Sequence, residues 1–230
     1  MDDAIIPPTP SPEDYEREAR AQEAFGAADD QGEVFGEDPV ALFASWLALA
    51  GRHEPNDPNA MTLATVGPNG QPDCRVVLLK DLGPNEGRGA FSFYSNTQSA
   101  KGMDLARTPR AALGFHWKTI RRQVRVRGAV RPVPDAVSDA YFASRSRGAQ
   151  IGAWASQQSR ELASPEVLET RVSDYEAVFE DRDVPRPEFW RGYEVVPDEI
   201  EFWVNRPYRL HDRKLFVWSE EAWRTGRLFP

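Results

Sequence analysis

The sequence is poor in residues that make covalent or metal cross-links. Among 230 residues there is one cysteine, Cys74, which excludes an internal disulfide and any zinc site built from several cysteines. The three histidines stand at positions 53, 116 and 211, so no two have the close spacing that is typical of zinc ligands. We therefore expect a protein from a reducing compartment that binds no metal.

Long apolar runs and common catalytic signatures are absent as well. No segment reaches the roughly 20 apolar residues that cross a bilayer, and the N-terminus lacks the basic start of a signal peptide. We expect a soluble, cytoplasmic protein. The chain also lacks G-x-G-x-x-G, the P-loop, G-x-S-x-G and H-E-x-x-H, so nothing supports a Rossmann dehydrogenase, an NTPase, an α/β-hydrolase or a zincin.

Charge is distributed unevenly along the chain. The net charge is −8, but residues 1–38 contain twelve acids and two arginines, so the other 192 residues carry 26 bases and 24 acids. Prolines at positions 7, 8, 10 and 12 accompany the acidic stretch, which has few large apolar residues. This composition predicts an acidic, disordered arm over residues 1–37 and one folded domain over residues 38–230.

Patterning after residue 38 predicts an antiparallel β protein with peripheral helices. Asp38 before Pro39 marks a helix start, and the apolar stripe that follows stops at Gly51. Further helices are expected at 99–107, 135–144 and 165–179. Alternating segments predict strands at 61–66, 75–80, 90–94, 111–117, 123–130, 200–203, 214–218 and 223–228. Short strands in sequence-adjacent hairpins indicate a barrel.

Four places are candidates for anion binding in a chain with four lysines and 24 arginines. They are Ser99 with Lys101 at a predicted helix start, Arg75 with Lys80 on either side of an apolar run, the basic cluster at 121–127, and residues 209–213. Each has an ordinary alternative: a helix cap beside a solvated lysine, solvated charges at the ends of a strand, the salt-bridged outside of a sheet, and an exposed turn, respectively. The sequence pattern leaves these alternatives open.

Nine short segments between residues 38 and 230 resemble, in order, those of the pyridoxine/pyridoxamine 5′-phosphate oxidases, a family of FMN enzymes. They are NAM at 59–61, RVVLLK at 75–80, FYSN at 93–96, RQV at 122–124, QIGAW at 150–154 followed by QS at 158–159, FW at 189–190, IEFW at 200–203, RLHDR at 209–213 and RLFP at 227–230. A single segment is a weak signal, whereas nine in the same order are a strong one.

The resemblance implies a split β-barrel of the FMN-binding type that forms a homodimer with FMN at the interface. Twelve residues would contact the cofactor: Arg75, Val76, Val77, Leu78, Tyr94, Ser95, Lys101, Gln123, Gln158, Ser159, Trp203 and Arg213. Five would hold the substrate: Lys80, Tyr141 and Arg145 at its phosphate, and Arg209 with His211, the implied catalytic pair, at its pyridine ring.

The implied reaction is the oxidation of pyridoxamine or pyridoxine 5′-phosphate to pyridoxal 5′-phosphate. Hydride passes to flavin N5, and O2 then reoxidises the flavin to give H2O2. No nucleic-acid or membrane partner is expected. Two other functions remain open: a flavin oxidase that acts on another ring, as in phenazine biosynthesis, and a non-catalytic flavin- or pyridoxal-phosphate-binding protein.

Three features depart from the family pattern. Ala100 replaces an arginine that usually precedes Lys101, which removes one guanidinium near the cofactor phosphate. Ala149 replaces a serine that often touches the substrate phosphate, with the loss of a hydrogen bond of about 1 kcal/mol. The N-terminal arm is acidic, whereas that of well-known family members is basic. The resemblance therefore implies no substrate contacts for the arm.

Overall fold

The computed structural model describes residues 9–29 and 36–230, without the side chains of residues 21–29 and Glu86. Its helices are α1 (Pro12–Asp29), α2 (Pro39–His53), α3 (Ala100–Arg107), α4 (Asp135–Ala143), α5 (Arg147–Ala155) and α6 (Pro165–Val178). Its strands are β1 (Ala60–Val66), β2 (Pro72–Leu78), β3 (Asp81–Gly83), β4 (Ala90–Asn96), β5 (Arg110–Trp117), β6 (Arg122–Pro132), β7 (Trp190–Val204), β8 (Asp212–Ser219) and β9 (Ala222–Arg227). Within the described ranges, no helix is long and apolar enough to cross a membrane.

The strands form one antiparallel sheet that curls on itself. Its main path runs β2-β1-β5-β6-β7-β4-β3, and β8 with β9 extends it beside β7. Residues 79–80 link β2 at one edge directly to β3 at the other, and the Lys80 N–H donates to the Ser92 carbonyl of β4 at 2.8 Å. Because its two edges are joined in this way, the sheet is a split barrel. The predicted fold class, mainly β with α additions, is confirmed.

Helix α2 fills the interior of the barrel. The Asp38 carboxylate accepts hydrogen bonds from the first backbone N–H groups of the helix, as its capping position predicts. Phe43 is fully buried, and its ring lies 4.9 Å from the rings of both Phe91 and Phe115. Edge-on aromatic contacts of this kind tie the helix to the strands on either side of it.

Strand β7 joins the two halves of the sheet. Its first half pairs with β4 and its second half with β8, while β6 runs along its whole length. The β6–β7 register shifts between Arg127 and Gly128, which marks a β-bulge. A Cβ on Gly128 would lie 1.9 Å from the carbonyl oxygen of Val196, so only glycine allows the strands to approach this closely.

Replacing Gly128 with alanine should therefore destabilise the protein. Forcing a methyl group into packed backbone costs about 1–3 kcal/mol, which corresponds to a fall in Tm of about 3–10 °C for a chain of this size. Differential scanning calorimetry measures the change. Gly226→Ala is the matched control, because a Cβ there meets no atom within 4 Å. Equal Tm values for the two variants would contradict the role of the close approach.

Most predicted strands and helices are confirmed, with ends shifted by a few residues. Four elements differ from the sequence expectation. Residues 12–29, within the segment predicted to be disordered, form α1. Helix α5 and strand β3 were not predicted, and β7 begins at Trp190 rather than near residue 200. The boundary between arm and domain at residues 37 and 38 stays a prediction.

Candidate functional site

A cavity of about 480 Å³ lies where β2 and β4 face helices α4 and α5. Ten of the residues that the resemblance assigns to a site line it together: Val76, Val77, Leu78, Lys80, Tyr94, Ser95, Lys101, Tyr141, Arg145 and Gln158. They come from five separate stretches of chain, so only the fold brings them to one place.

Lys101 gives one part of this cavity a positive charge without a counter-charge. Lys101 lies two residues after the N-cap Ser99 and is 9% exposed. Its Nζ donates to Gln158 Oε1 at 2.7 Å. It makes no ion pair with any residue that the structure describes. Burial, and then the charge of Arg75, lowers the pKa of Lys101, against a smaller opposing effect of Asp73. A bound anion would remove this penalty.

Arg75 lies beside the cavity rather than in its lining. It donates to the Thr65 hydroxyl at 2.8 Å and pairs with Asp73 at 2.6 Å, and Thr65 in turn donates to the buried Asp104 of α3 at 2.8 Å. These hydrogen bonds connect the guanidinium to Asp104 in α3. The positive charge of Arg75 is therefore close to Lys101, although Ala100 supplies none.

An aromatic wall with a second uncompensated cation forms another part of the cavity. Tyr94 stacks on Tyr141 with ring centroids 4.0 Å apart and on Trp190 at 5.2 Å. The Arg145 guanidinium lies 5.1 Å from the centre of the Trp190 ring, and its buried Nη1 has no hydrogen-bond partner among the described residues. Burial lowers the pKa of Arg145. A guanidinium nitrogen that is buried without a partner is costly, which suits a site for an anion.

Helix α5 leaves the cavity room by presenting small residues to it. Ala149, Gly152 and Ala153 all line the space, and a Cβ on Gly152 would meet no atom within 4 Å. Ala149 is thus in the cavity, where it offers no hydroxyl to a ligand.

A second group of predicted site residues lies on β6, β7 and β8. Gln123 pairs with Trp203, and Trp203 pairs with Arg213, so the three side chains form one row on the same face of the sheet. None of them lines the cavity. Tyr94 of the cavity pairs with Gly192, which is 11 residues before Trp203 on β7. At ~3.3 Å per residue this is roughly 36 Å of strand.

His211 belongs to this second group. Its ring lies 4.4 Å from that of Trp203, and its Nδ1 accepts a hydrogen bond from the Arg206 N–H at 3.1 Å. Because Nδ1 is an acceptor, Nε2 carries the proton and is available as a donor. Burial first, and then the charges of Arg209 and Arg213, lower the pKa of His211.

Arg209 is carried on a strained turn. It and Tyr208 both have left-handed backbone, with φ of 65° and 57°, which costs non-glycine residues of order 1 kcal/mol or more each. Helix α1 packs against this turn, with the Tyr15 ring 5.0 Å from that of Tyr208. Glu18 of the same helix pairs with Arg121, between β5 and β6. The acidic arm thus contacts the segment that carries Arg209.

Of the remaining predictions, Ser159 is exposed next to the cavity residue Gln158 and does not line the cavity. Arg125 and Arg127 pair with Glu201 and Glu199, so for these two arginines the salt-bridged alternative is confirmed.

Five other residues that line the cavity had no role predicted from the sequence: Asn96, Gly152, Ala153, Ser156 and Trp190. All but Ser156 lie in segments that carry the family resemblance.

The described residues contain no cluster of three or more histidine, cysteine or carboxylate side chains that could hold a metal ion. What the cavity offers instead is Lys101 and Arg145, two cations with different neighbours and no counter-charge, beside an aromatic wall. This set fits planar aromatic ligands that carry phosphate groups.

Comparison with known proteins agrees with the geometry. A family model described as pyridoxamine 5′-phosphate oxidase matches residues 50–179, and one described as the pyridoxine 5′-phosphate oxidase C-terminal dimerisation region matches residues 190–230. A pyridoxine/pyridoxamine 5′-phosphate oxidase of Caulobacter vibrioides is 53% identical over 229 residues, which cover 100% of this chain and 99% of the relative. The enzyme of that name from Azorhizobium caulinodans is 56% identical over 84% of this chain and 91% of its own length.

Solved structures share the fold. PhzG from Burkholderia lata 383, solved with tetrahydrophenazine-1-carboxylic acid, is 29% identical with a TM-score of 0.77, over 85% of this chain and 94% of that one. An FMN-binding protein of Nostoc punctiforme, 16% identical, gives 0.68 over 85% and 100%. Sequence relatives, family models and barrel together show that this chain belongs to the pyridoxine/pyridoxamine 5′-phosphate oxidase family of flavin-dependent oxidoreductases.

Proposed function

We propose that the protein is an FMN-dependent oxidase that converts pyridoxamine or pyridoxine 5′-phosphate to pyridoxal 5′-phosphate. The observation that carries the proposal is the pair of uncompensated cations in one cavity, Lys101 and Arg145. Two separate cations fit two phosphates, one on the cofactor and one on the substrate. The aromatic wall of Tyr94, Tyr141 and Trp190 fits planar rings between them.

Lys101, with Ser95, Gln158 and the nearby Arg75, would hold the FMN phosphate. Residues 76–78 of β2 would contact the rest of the cofactor, because they line the same space. Lys80, Tyr141 and Arg145 would bind the substrate phosphate, with two positive charges and a hydroxyl. Bound FMN would supply the two-electron acceptor for the hydride from the substrate 4′-carbon, and O2 would then take up the electrons to give H2O2. With pyridoxamine 5′-phosphate, water would supply the aldehyde oxygen and the nitrogen would leave as ammonia.

A homodimer would bring the second group of residues to the cavity. Roughly 36 Å of strand separates Gly192, next to Tyr94, from Trp203, which is too far for one FMN to contact both groups within a protomer. The C-terminal dimerisation region matched at residues 190–230 includes Trp203, Arg209, His211 and Arg213. We infer that this group from one protomer faces the cavity of the other.

Within such a site, Arg209 and His211 would orient the pyridine ring. The planar Arg209 guanidinium can lie over the ring, and the strained turn limits the positions that it can take. His211 can donate from Nε2 to a polar group of the substrate, because the Arg206 N–H holds its Nδ1 as an acceptor. These groups position the reacting carbon and need not transfer protons.

His211 should be neutral at pH 7, with its proton on Nε2. In a 15N NMR titration we expect its midpoint below 6.5, because burial and two arginines disfavour the charged ring. The unfolded chain then binds the proton more tightly, so this residue's contribution to stability is present above about pH 6.5 and is lost as pH falls through the lowered pKa. A midpoint above 6.5, or a proton on Nδ1, would contradict this assignment.

The proposed activity is tested by loading the purified protein with FMN and supplying each substrate in air. We expect pyridoxal phosphate absorbance and one H2O2 per product molecule. Absence of both products with both substrates would overturn the proposal and favour a non-catalytic binding protein.

A phenazine-type oxidase is the second candidate, because PhzG shares the fold with a TM-score of 0.77. The candidates differ in whether the substrate carries a phosphate. Lys80, Tyr141 and Arg145 all line the cavity of this chain, which favours the phosphorylated substrate.

A further inference from the structure

A buried carboxylate on the outer face of the sheet connects two arginines. Glu201 is 5% exposed and accepts a hydrogen bond from Arg213 Nε at 2.8 Å and another from Arg125 Nη2. Burial by itself would raise the pKa of Glu201, but the hydrogen bonds and charges of Arg213 and Arg125 outweigh it and lower the pKa. Glu201 is therefore ionised at neutral pH, and its two oxygens are directed to different guanidinium groups.

The Arg213 side chain is held at two of its three nitrogens. Besides the bond from Nε to Glu201, Nη1 donates to the Phe229 carbonyl at 2.8 Å, and the returning Leu228 N–H donates to the Arg213 carbonyl at 3.1 Å. Nη2 has no partner among the described residues. A side chain fixed in this way presents one donor group outward and has lost most of its rotamer freedom before any ligand binds.

We infer that Glu201 is a positioning residue for the cofactor, which fixes the Arg213 guanidinium so that Nη2 is directed toward bound FMN. The inference rests on the proposed function, because it requires Arg213 to contact FMN. Glu201 itself is covered by two arginines and lies behind the donor that would reach the ligand. Its effect on FMN must therefore pass through Arg213.

A double-mutant cycle on the full-length homodimer tests this dependence. Kd for FMN is measured by flavin fluorescence quenching on apo-protein for wild type, Glu201→Gln, Arg213→Gln and the double variant. Glutamine keeps the size of Glu201 but loses its charge, so we expect Glu201→Gln to raise Kd about tenfold. In the Arg213→Gln background the same substitution should change Kd less than about twofold.

Glu199→Gln is the matched control. Glu199 lies two residues away on the same strand and face, and it pairs with Arg127 as Glu201 pairs with Arg125. It has no contact with Arg213, so its removal should leave Kd for FMN unchanged. The visible spectrum gives a second measurement: Glu201→Gln should reproduce the shift in flavin absorption that Arg213→Gln causes, whereas Glu199→Gln should keep the wild-type spectrum.

The positioning role of Glu201 and the FMN site itself would fail in different ways. Equal effects of Glu201→Gln with and without Arg213 would overturn the positioning role and leave the FMN site intact. A wild-type protein that does not bind FMN would overturn the proposed function itself. If Glu201→Gln does not fold, Glu201→Asp replaces it, because aspartate keeps the charge but shortens the reach to Arg213, and the same non-additivity is then expected.

Discussion

Replacing Arg145 with alanine should raise the KM for pyridoxamine 5′-phosphate about 30- to 1000-fold. Removing one partner of a buried charge pair costs about 2–4 kcal/mol, and every 1.4 kcal/mol corresponds to a factor of ten. Arg145 has the geometry for such a pair, because its Nη1 is buried without a partner while the guanidinium rests on Trp190. Steady-state peroxide formation over a range of substrate concentrations measures the effect.

Two comparisons make this result specific. Arg182→Ala is the matched control, since Arg182 also lies over a ring, that of Phe179, but is exposed and outside the cavity. It should leave KM unchanged. The dephosphorylated substrate should show little difference between wild type and Arg145→Ala, because it lacks the group that Arg145 would bind. An unchanged KM for the phosphorylated substrate would favour the phenazine-type alternative.

Replacing Lys101 with methionine should change two properties in opposite directions. FMN affinity should fall at least about 100-fold, because the variant loses a charge-assisted bond to the phosphate in a buried site. The apo-protein should become more stable, because methionine removes a buried ammonium that has only neutral hydrogen-bond partners, Gln158 and Ser99. Fluorescence titration gives the affinity, and the Tm of apo-protein gives the stability.

The pH dependence of apo-protein stability tests independently whether the Lys101 ammonium is buried without a counter-charge. Because its pKa is lowered in the folded state, mainly by burial, the unfolded chain binds the proton more tightly. Wild-type stability should therefore gain a contribution as pH rises through the lowered pKa toward the unfolded value near 10.5, and Lys101→Met should lack it. Lys118→Met, at an exposed lysine, is the control and should resemble wild type. A Lys101→Met variant that binds FMN normally would refute the phosphate assignment.

Local patterns predicted most of the strands, because alternation and turn residues involve only a few neighbouring positions. They missed β3 and the first half of β7. The Asp38 cap and the Ser99 cap were both found in this way. Helix α1 was not predicted, because the composition of a segment reports only its own apolar surface and not its contacts with distant residues. Its contacts, Tyr15 on Tyr208 and Glu18 on Arg121, involve residues more than 100 positions away.

The cavity could not be predicted from local sequence patterns, because its residues meet only in the folded chain. Ser99 and Lys101 could equally have been a cap beside a solvated lysine, and only the fold buries the Lys101 ammonium and brings Gln158 to it. Trp190 follows Phe189 in a recognised segment, yet its place under Arg145 depends on α4 packing against β7. The left-handed turn at Tyr208 and Arg209 has no glycine or asparagine to signal it.

We propose that the cavity holds FMN and a phosphorylated pyridine substrate together in a reactive arrangement. The most direct test is the visible absorption spectrum of the FMN-loaded protein, recorded without oxygen before and after addition of pyridoxamine 5′-phosphate. We expect the visible absorption band of oxidised flavin to bleach and to return when air is admitted, as a flavin acting as the hydride acceptor requires. A flavin band that persists unchanged with both pyridoxamine and pyridoxine 5′-phosphate would contradict the proposed oxidase activity.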